Sequence, residues 1–420
     1  MTSDDTAFIS NRIDYLDSYE GELSVPFSAG EYQERLHRIR ASMQSEQLDV
    51  LFLSAPESIC YVSGHESTWY QGQAATDWYP GSGIAISSES DEFIHFEDED
   101  ELTLVRSGCI SPDVRIRRHS DDMPSWPEFI VSELTAAEWL PGKVGLEMWS
   151  SRPNRRYSEI FQAALQAGGA SVVDATQVVR SVRNLKSPQE LTYTRTAQKI
   201  ADAGMRAAIA HLRPGATELD VAAEVTYAMG KAGGEPAGVP TAVASGSRSA
   251  GVHGLPSRRV IMPGDIVNVD LSGVYHRYHA SMARCFSIGE PRPAVRTQIE
   301  KMLTGVQLVG ELIRPSLAVD ELLRALKAYY EQAGIWEDRW WIGGYELGIA
   351  FPPDTVGEFY YEFEREPGEK AFLPGVVCNY ESNFYLPEHA GLAVLTHTMA
   401  FTEKTAEFLY GVPLSLVVIE

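Results

Sequence analysis

The 420-residue sequence predicts an α/β domain followed by a larger α+β domain that contains an internal pseudo-twofold repeat. Segments with strand and helix patterns alternate up to about residue 180, and the segment LKSPQE (185–190) separates them from the rest of the chain. Two kinds of segment then recur at an offset of about 100 to 111 residues. We therefore predict a polar N-terminal tail (1–26), a first domain (27–182) and a second domain (183–420).

The first domain begins with an amphipathic helix. In FSAGEYQERLHRIRASMQSEQ (27–47), Ser28 is a suitable N-cap and apolar residues recur at helical spacing. LDVLFLSA (48–55) predicts a buried strand, SICYVSG (58–64) predicts a turn into a second strand, and His65, just after a glycine, is expected in an exposed loop. The remaining strand and helix patterns are SGIAIS (82–87), EFIHFE (92–97), SWPEFIVSELTAAEW (125–139), KVGLEM (143–148), RRYSEIFQAALQAGG (155–169) and SVVDA (171–175).

The second domain begins with a capped helix, because Ser187 is a suitable N-cap and Pro188 and Glu190 fall in the first turn. Inside this domain, HLRPGATELDVAAEVTYAMGKAGG (211–234) resembles LIRPSLAVDELLRALKAYYEQAGI (312–335). Both segments contain an Arg-Pro turn, an amphipathic helix and a glycine that ends it. They are the helical part of the predicted repeat.

The repeat also places two acidic residues at matching positions. MPGDIVNVDLSG (262–273) resembles LPGVVCNYESNF (373–384), and each consists of a Pro-Gly turn that leads into a strand. Asp270 and Glu381 occupy the same position in the two segments. A pseudo-twofold axis would bring these carboxylates to equivalent places in one cavity, which predicts an active site there. The alternatives are that the match arises by chance, because Pro-Gly turns before apolar strands are common, and that Asp270 is a strand carboxylate that accepts backbone hydrogen bonds.

Composition narrows the possible functions. The chain has 35 Lys and Arg against 58 Asp and Glu, a formal net charge of -23, so nucleic acids and anionic membrane surfaces are poor candidates for partners. No run of about 18 apolar residues suggests a membrane-spanning helix. The four cysteines lack CxxC spacing, which argues against a disulfide framework and a cysteine-rich zinc site and favours a reducing cytoplasm.

Six segments, in order, resemble the pita-bread enzymes, the superfamily of methionine aminopeptidase, prolidase, aminopeptidase P and creatinase. The resemblance covers about residues 27 to 410, and two domains of this size match the prolidase, aminopeptidase P and creatinase branch. It implies a pita-bread fold for the second domain. The segments are EYQERLHRIRASM, LDVLFLSAPESICYVSG, VVRSVRNLKSPQELTYTRTAQKIAD, PGDIVNVDLSG, GGYELGIAFPPD and the acidic residue after PGVVCNY.

The resemblance also shows where metal ligands would be expected in this sequence. The peptidases of the superfamily hold two divalent metals with two Asp, one His and two Glu. Asp270 matches the first Asp and Glu381 matches the first Glu. The second Asp, the His and the second Glu are replaced by Ser281, Tyr345 and Thr396, respectively. Two carboxylates are too few for a paired metal centre, since each hard divalent ion takes about six donors. We therefore predict no metal and no other cofactor.

The same loss of ligands occurs in creatinase, which cleaves a C–N bond without a metal, and the ectoine hydrolases are similar. The resemblance implies that His253 is the general acid and base, because imidazole exchanges protons near neutral pH. Glu381 matches a creatinase glutamate that grips a guanidinium group. The second substrate-binding glutamate of creatinase is Ala283 here, which argues against creatine. Asp270 is expected to anchor a cationic group or to position water.

Aromatic and acidic residues gather near the expected entrance and suit a small organic cation, although about half of the aromatics are expected to pack in the core or at an interface. The resemblance implies a homodimer in which a first-domain loop around Trp69 and Tyr70 closes the neighbouring site. The aromatics are Trp69, Tyr70, Trp78, Tyr79, Trp336, Trp340, Trp341, Phe359, Tyr360 and Tyr361. We predict three catalytic residues, His253, Glu381 and Asp270. The predicted substrate-binding residues are Tyr345, Trp69, Tyr70, Glu346, Glu358, His279, Ser281 and His397.

Two further motifs are weaker. SGSRSAG (245–251) lacks the strand-loop-helix context of a phosphate loop and is predicted to be a flexible lid or substrate loop. A triad of Ser281, His253 and Asp270 stays open on sequence, although no nucleophile-elbow pattern surrounds the serine.

The sequence thus predicts a metal-independent, cytoplasmic hydrolase that opens a C–N bond in a small cationic or zwitterionic amidine, guanidine or cyclic amide. The alternatives are a lyase or cyclase on the same scaffold, a metal-dependent Xaa-Pro peptidase, and a non-catalytic pita-bread module that binds a basic protein.

Overall fold

The computed structural model describes residues 23–71, 81–118, 123–366 and 368–420. The chain divides into two compact units, one that ends at Arg183 and one that spans Asn184–Glu420. The sequence-based boundary lies between residues 182 and 183. Within the described ranges, no helix has both the length and the apolar character needed to cross a membrane.

The first unit is built on a mixed six-stranded sheet of order β4-β3-β2-β1-β5-β6. Strand β1 pairs antiparallel with β2 and parallel with β5, so the sheet grows outward from β1 in both directions. Its strands are β1 Val50–Leu53, β2 Gly83–Ser87, β3 Phe93–Asp98, β4 Asp113–Arg117, β5 Lys143–Leu146 and β6 Ser171–Asp174. The helices are α1 Ala29–Ser45, α2 Pro56–Ser63, α3 Leu102–Gly108, α4 Trp126–Ala136, α5 Arg155–Ala167 and α6 Thr176–Asn184.

The prediction of a strand within residues 58–64 is wrong, because this stretch belongs to helix α2. Pro56 starts the helix and Gly64 ends it in the left-handed region at φ 85°, where the glycine N–H donates to the carbonyl of Cys60 at 2.8 Å. Residues 58–63 are all buried. A helix that is buried on every side has no polar face, so its sequence lacks the period that distinguishes a helix from a buried strand.

The second unit has the α+β architecture and the internal repeat that the sequence predicts. Its large sheet has the order β12-β11-β14-β15-β9-β8-β7, with β16 beside β15 and β17 beside β9, while β10 and β13 form a separate pair. The helices are α7 Pro188–His211, α8 Glu218–Lys231, α9 Pro293–Leu312 and α10 Val319–Ala333. The strands are β7 Ala242–Ser245, β8 Ile266–Tyr275, β9 Tyr278–Ile288, β10 Leu317–Ala318, β11 Arg339–Tyr345, β12 Tyr360–Glu362, β13 Ala371–Phe372, β14 Val377–Tyr385, β15 Leu392–Phe401, β16 Ala406–Leu409 and β17 Val417–Ile419.

The pseudo-twofold symmetry is visible in the strand order. From the centre outward, one half contains β9, β8 and β7, and the other contains β15, β14 and β11. Each half packs two helices against its strands, α7 and α8 in one case and α9 and α10 in the other. The approach of α7 to β8 is close, since a Cβ added to Gly273 would lie 2.0 Å from the carbonyl oxygen of Ala197. Glycine is required there because the backbones nearly touch.

Strand register brings the two repeats together in one row. Asp270 on β8 pairs with Ala283 on β9, Ala283 pairs with Thr396 on β15, and Thr396 pairs with Glu381 on β14. Directly paired residues place their side chains on the same face of a sheet. Asp270 and Glu381 therefore share one face of the sheet from symmetric positions in the two halves.

Candidate active site

A cavity of about 430 Å³ lies over this row of residues. Five of the predicted site residues line it: His253, Asp270, Ser281, Tyr345 and Glu381. The remaining wall is largely apolar or aromatic. The volume is in the range of pockets that hold small molecules.

The Glu381 side chain on strand β14 accepts hydrogen bonds from three neighbouring side chains. Asn379 Nδ2 donates to Glu381 Oε1 at 2.8 Å, Asn383 Nδ2 donates to Oε2 at 3.2 Å, and the Tyr345 hydroxyl also bonds to this carboxylate. Asn379 in turn accepts a hydrogen bond from the Tyr345 backbone N–H at 2.7 Å. The two asparagines and the glutamate alternate along one strand, so they share the cavity face. Donors of this kind stabilise the ionised carboxylate.

Asp270 has a different environment. Burial raises its pKa to about 8, and the negative charge of Glu381 contributes to the rise. Burial also raises the pKa of Glu381, but the hydrogen bonds from Asn383, Tyr345 and Asn379 oppose that rise. We assign the shared proton to Asp270 at neutral pH and the negative charge to Glu381, since two close carboxylates whose surroundings differ separate into an acid and a base.

Tyr345 stays a neutral donor in this arrangement. Burial raises the pKa of its phenol well above the ordinary value, and the negative charge of Glu381 acts in the same direction. A phenol that keeps its proton can orient a carboxylate but contributes no charge to the site.

His253 is exposed at the rim of the cavity, in the loop that follows β7. Its ring makes an edge contact with the ring of Trp340 at a centroid distance of 6.4 Å. The loop is anchored rather than loose, which differs from the flexible lid expected for residues 245–251. Glu218 at the start of α8 binds Arg248 Nε at 3.2 Å and accepts from the Ser257 hydroxyl at 2.6 Å. The imidazole is thus presented to the cavity by a fixed backbone.

Three of the predicted aromatic residues, Trp340, Trp341 and Tyr360, line the cavity. Trp341 is oriented by a hydrogen bond from its Nε1 to Glu362 Oε2 at 2.8 Å. Phe359 and Tyr361 lie in the hydrophobic core, and Trp336 packs against that core.

Glu346 is engaged elsewhere, in contrast to the expectation that it binds substrate. Its carboxylate forms a buried ion pair with Lys186 and accepts the backbone N–H of Glu358 at 2.9 Å. Neither Glu346 nor Glu358 is among the residues that line the cavity, and the side chain of Glu358 is exposed. A buried carboxylate that already has a cation is satisfied without a ligand.

Two predicted histidines, His279 and His397, also lie away from the cavity lining. His279 is fully buried, its Nδ1 donates to the Arg277 carbonyl at 2.8 Å and its Nε2 accepts from the Gly238 N–H at 2.9 Å. Burial lowers its pKa to about 3, so it is a neutral core residue. His397 follows Thr396 on β15, points to the opposite face of the sheet and packs against Phe408 at 4.8 Å.

Of the predicted aromatic residues of the first domain, only some lie within the described ranges. Tyr70 belongs to a single 3₁₀ turn in the first unit, where the guanidinium of Arg152 lies 5.9 Å from its ring centroid. The side chain of Trp69 and the whole of Trp78 and Tyr79 lie outside the described residues.

Sequence reasoning missed the asparagines that hold Glu381 and a polar segment of the rim, Asp354 and Thr355. The asparagines had a usable signal, because Asn379, Glu381 and Asn383 follow the two-residue period of a strand. The rim segment had only a partial signal, because Asp354 ends the motif GGYELGIAFPPD, but its place in the cavity depends on the folding of the connection between β11 and β12.

Comparison with known proteins identifies the family. Residues 192–403 match the model of metallopeptidase family M24, and residues 35–185 match the creatinase/prolidase N-terminal domain. The first match alone covers half of the chain. The chain belongs to metallopeptidase family M24.

Individual relatives of this M24 chain are distant but extend over nearly its whole length. It is 27% identical to an ectoine hydrolase from Halomonas elongata, over 94% of this chain and 99% of the relative. It is 25% identical to a Xaa-Pro dipeptidase from Pyrococcus furiosus, over 90% of this chain and 97% of the relative. The solved X-Pro aminopeptidase from Thermotoga maritima, 21% identical, superposes with a TM-score of 0.75 over 91% of this chain and 99% of its own and so shares the fold.

The family name implies metal, and the donors in this cavity do not fit a paired metal centre. At the matched positions, the Ser281 hydroxyl is hydrogen-bonded to the Ser272 hydroxyl at 3.0 Å, Tyr345 is a neutral phenol and Thr396 is a neutral alcohol. Asp270 and Glu381 remain as two carboxylates where hard divalent ions need many more charged oxygen or imidazole donors. The Ser281 bond also differs from a nucleophilic triad, in which the serine would be paired with the histidine.

We expect Asp270 to make the stability of the protein depend on pH. The folded protein keeps the Asp270 proton up to about pH 8, while the unfolded chain releases it near its ordinary pKa of 3.8. This stabilising contribution is complete below the unfolded pKa and is lost as pH rises through the folded pKa. In wild type, the free energy of unfolding should therefore fall by up to about 1.4 kcal/mol per pH unit between those limits. Asp270→Asn, which mimics the protonated acid, should lack this fall.

Urea unfolding of wild type and Asp270→Asn from pH 5 to pH 8 measures this difference. Asp354→Asn, at an exposed acid of the same cavity rim, is the matched control and should follow wild type. Parallel stability curves for wild type and Asp270→Asn would show that Asp270 is ionised in the folded protein throughout this range.

Proposed function

We propose that this M24-family hydrolase cleaves a C–N bond, other than a peptide bond, in a small cationic or zwitterionic amidine, guanidine or cyclic amide, and does so without a metal. The observation that carries the proposal is the cavity floor. Three positions that would hold metal in a peptidase carry neutral side chains, while one ionised and one protonated carboxylate remain. The described residues that line this pocket include neither Lys nor Arg, and a substrate that brings a positive charge would complete it.

The cavity also favours a small molecule over a protein partner. Glu381 lines the cavity, and a carboxylate can form charge-assisted hydrogen bonds to two nitrogen atoms of one amidine or guanidine group. The indole rings of Trp340 and Trp341 supply faces for a delocalised cation. A binding module for a basic protein would instead present its acids on an open surface.

The relatives are consistent with hydrolysis of a non-peptide C–N bond, but they do not distinguish it from hydrolysis of a peptide bond. One full-length relative is an ectoine hydrolase and another, similarly distant, is a Xaa-Pro dipeptidase. The donors at the cavity floor favour the first possibility, because the resemblance implies a paired metal centre for the peptidases and the residues here do not fit one.

The geometry suggests roles for the three predicted catalytic residues. His253 takes a proton from water at the rim, the water oxygen bonds to the amidine or amide carbon, and the C–N bond breaks as His253 returns the proton to the leaving nitrogen. Glu381 holds the positive charge of the substrate. Protonated Asp270 donates a hydrogen bond to the developing tetrahedral centre, as a carboxylic acid kept neutral by its site can do.

Chelation tests the absence of a metal in the reaction. Once a substrate is found in a panel of amidines, guanidines and cyclic amides, a chelator treatment that leaves the circular dichroism spectrum unchanged should leave kcat unchanged, and added Mn²⁺ or Co²⁺ should not raise it. Asp270→Asn should have the same metal content as wild type. Activity that disappears with the metal and returns with it, or metal-dependent cleavage of Xaa-Pro dipeptides, would overturn the proposal.

Replacement of His253 tests the proton transfer. His253→Ala should lower kcat by about 100-fold or more, the usual contribution of a general acid and base, and external imidazole should restore part of it because the site is at an open rim. His211→Ala, which removes a half-exposed histidine outside the cavity, is the control. Incorporation of one ¹⁸O from labelled water into the product separates hydrolysis from a lyase or cyclase reaction. Near-normal turnover by folded His253→Ala would remove His253 from the mechanism.

Replacement of Glu381 tests charge recognition. Glu381→Gln should weaken binding of a cationic substrate analogue by a few kcal/mol, the scale of a charge-assisted contact, and should affect a neutral isostere much less. Calorimetry measures both affinities, with Glu358→Gln as an exposed control outside the cavity. Equal losses for the two ligands would leave Glu381 with a structural role.

The homodimer and the cytoplasmic location stay predictions.

A further inference from the structure

A second cluster of titratable side chains lies in the first unit, remote in sequence from the residues of the cavity. His65 follows helix α2, and His95 and Glu97 alternate on strand β3, so the last two share one face of the sheet. All three are buried, with exposed fractions of 6%, 0% and 1%. The sequence predicts an exposed loop for His65, and the structure instead buries its ring against that of His95 at a centroid distance of 5.3 Å.

Three donor atoms of the cluster converge. Nε2 of His65 lies 3.5 Å from Oε2 of Glu97, and Nε2 of His95 lies 3.9 Å from the same oxygen. One ligand atom from each of the three residues lies within 4.8 Å of the other two. Neither Nε2 has a hydrogen-bond partner among the described residues. Buried polar atoms are nearly always satisfied, so a pair of unsatisfied nitrogens facing a carboxylate requires an explanation.

The opposite edge of each side chain is held by another residue. Nδ1 of His65 lies 3.3 Å from Cys109 Sγ, and Nδ1 of His95 lies 2.8 Å from Ser111 Oγ. The backbone N–H of Asp98 donates to Glu97 Oε1 at 2.9 Å, and the Ser82 side chain also hydrogen-bonds to this carboxylate. Outer contacts of this type orient imidazole and carboxylate ligands toward a metal.

Without a cation the cluster is electrically neutral. Burial raises the pKa of Glu97 to about 8 and lowers that of His65 to about 4, and the pKa of His95 also lies well below its ordinary value. Neutral imidazoles are the form that binds metal, and a divalent cation would stabilise the ionised form of Glu97.

We propose that His65, His95 and Glu97 bind one divalent transition metal ion, zinc by the chemistry of the ligands, in the first unit. Two histidines and one glutamate, with water as a fourth ligand, form a known type of zinc site, and Zn–N and Zn–O bonds of about 2.0 to 2.2 Å separate tetrahedral donors by about 3.3 to 3.6 Å. The two nitrogen–oxygen separations, 3.5 and 3.9 Å, lie within a few tenths of an ångström of this range, and every pair of donors lies within 4.8 Å. The ion would link the residue that follows the C-cap of α2 to strand β3.

Zinc binding to the full-length, tag-free protein tests the site. After removal of metal by dialysis against dipicolinate, titration with Zn²⁺ in competition with a chromogenic chelator should give about one ion per chain with Kd below about 1 µM. The ion should raise Tm, since it binds only the folded chain. X-ray absorption should show nitrogen and oxygen neighbours at about 2.0 to 2.2 Å with imidazole outer shells and no sulfur.

Variants locate the ion. Glu97→Gln, which keeps the size of the side chain, and His95→Gln should each weaken zinc binding by about 100-fold or more, because loss of a residue that only orients a ligand already costs up to about 100-fold. His37→Ala removes an exposed histidine of the same unit, and Asp270→Asn alters the cavity of the second unit; both should bind zinc as wild type does. A wild-type Kd weaker than about 10 µM, a sulfur neighbour, or unchanged binding by folded Glu97→Gln would overturn the proposal, and the wild-type measurements decide it even if the variants do not fold.

Discussion

The pairing of β9 with β15 is the constraint on which the candidate active site depends. Ala283 and Thr396 meet at this junction, and the Thr398 hydroxyl both accepts from the Ser281 N–H at 2.9 Å and donates to the Ser281 carbonyl at 3.0 Å. The junction joins the two halves of the repeat and sets the register for Asp270 and Glu381 on the strands to either side. A slip of one residue would turn one of the two acidic side chains toward the helices.

Within the cavity, the neighbours of each acidic group decide what it can do. Three hydrogen-bond donors oppose the rise that burial causes in the pKa of Glu381, whereas burial and the neighbouring Glu381 raise the pKa of Asp270 to about 8. Glu346, one strand away, shows a third outcome, because Lys186 neutralises it in the interior. The same carboxyl chemistry therefore gives an anion, an acid and a buried ion pair within one unit.

The histidines show the same dependence on surroundings. His279 has both ring nitrogens satisfied by backbone groups and acts as a core residue, while His253 is exposed at the rim of the cavity. His65 and His95 have satisfied Nδ1 atoms and unsatisfied Nε2 atoms that face one carboxylate. Residue type alone distinguishes none of these three situations.

The sequence by itself determined the two-domain organisation, the repeat, and the matched positions of Asp270 and Glu381. Each of these follows from local patterns, namely helix caps, Pro-Gly turns and the two-residue period of strands. Tertiary structure alone decided that residues 58–63 form a helix, that Glu346 pairs with Lys186, 160 positions earlier in the chain, and that His65 is buried beside His95. Those outcomes depend on contacts between residues far apart in the chain, where burial and a distant partner outweigh local preference.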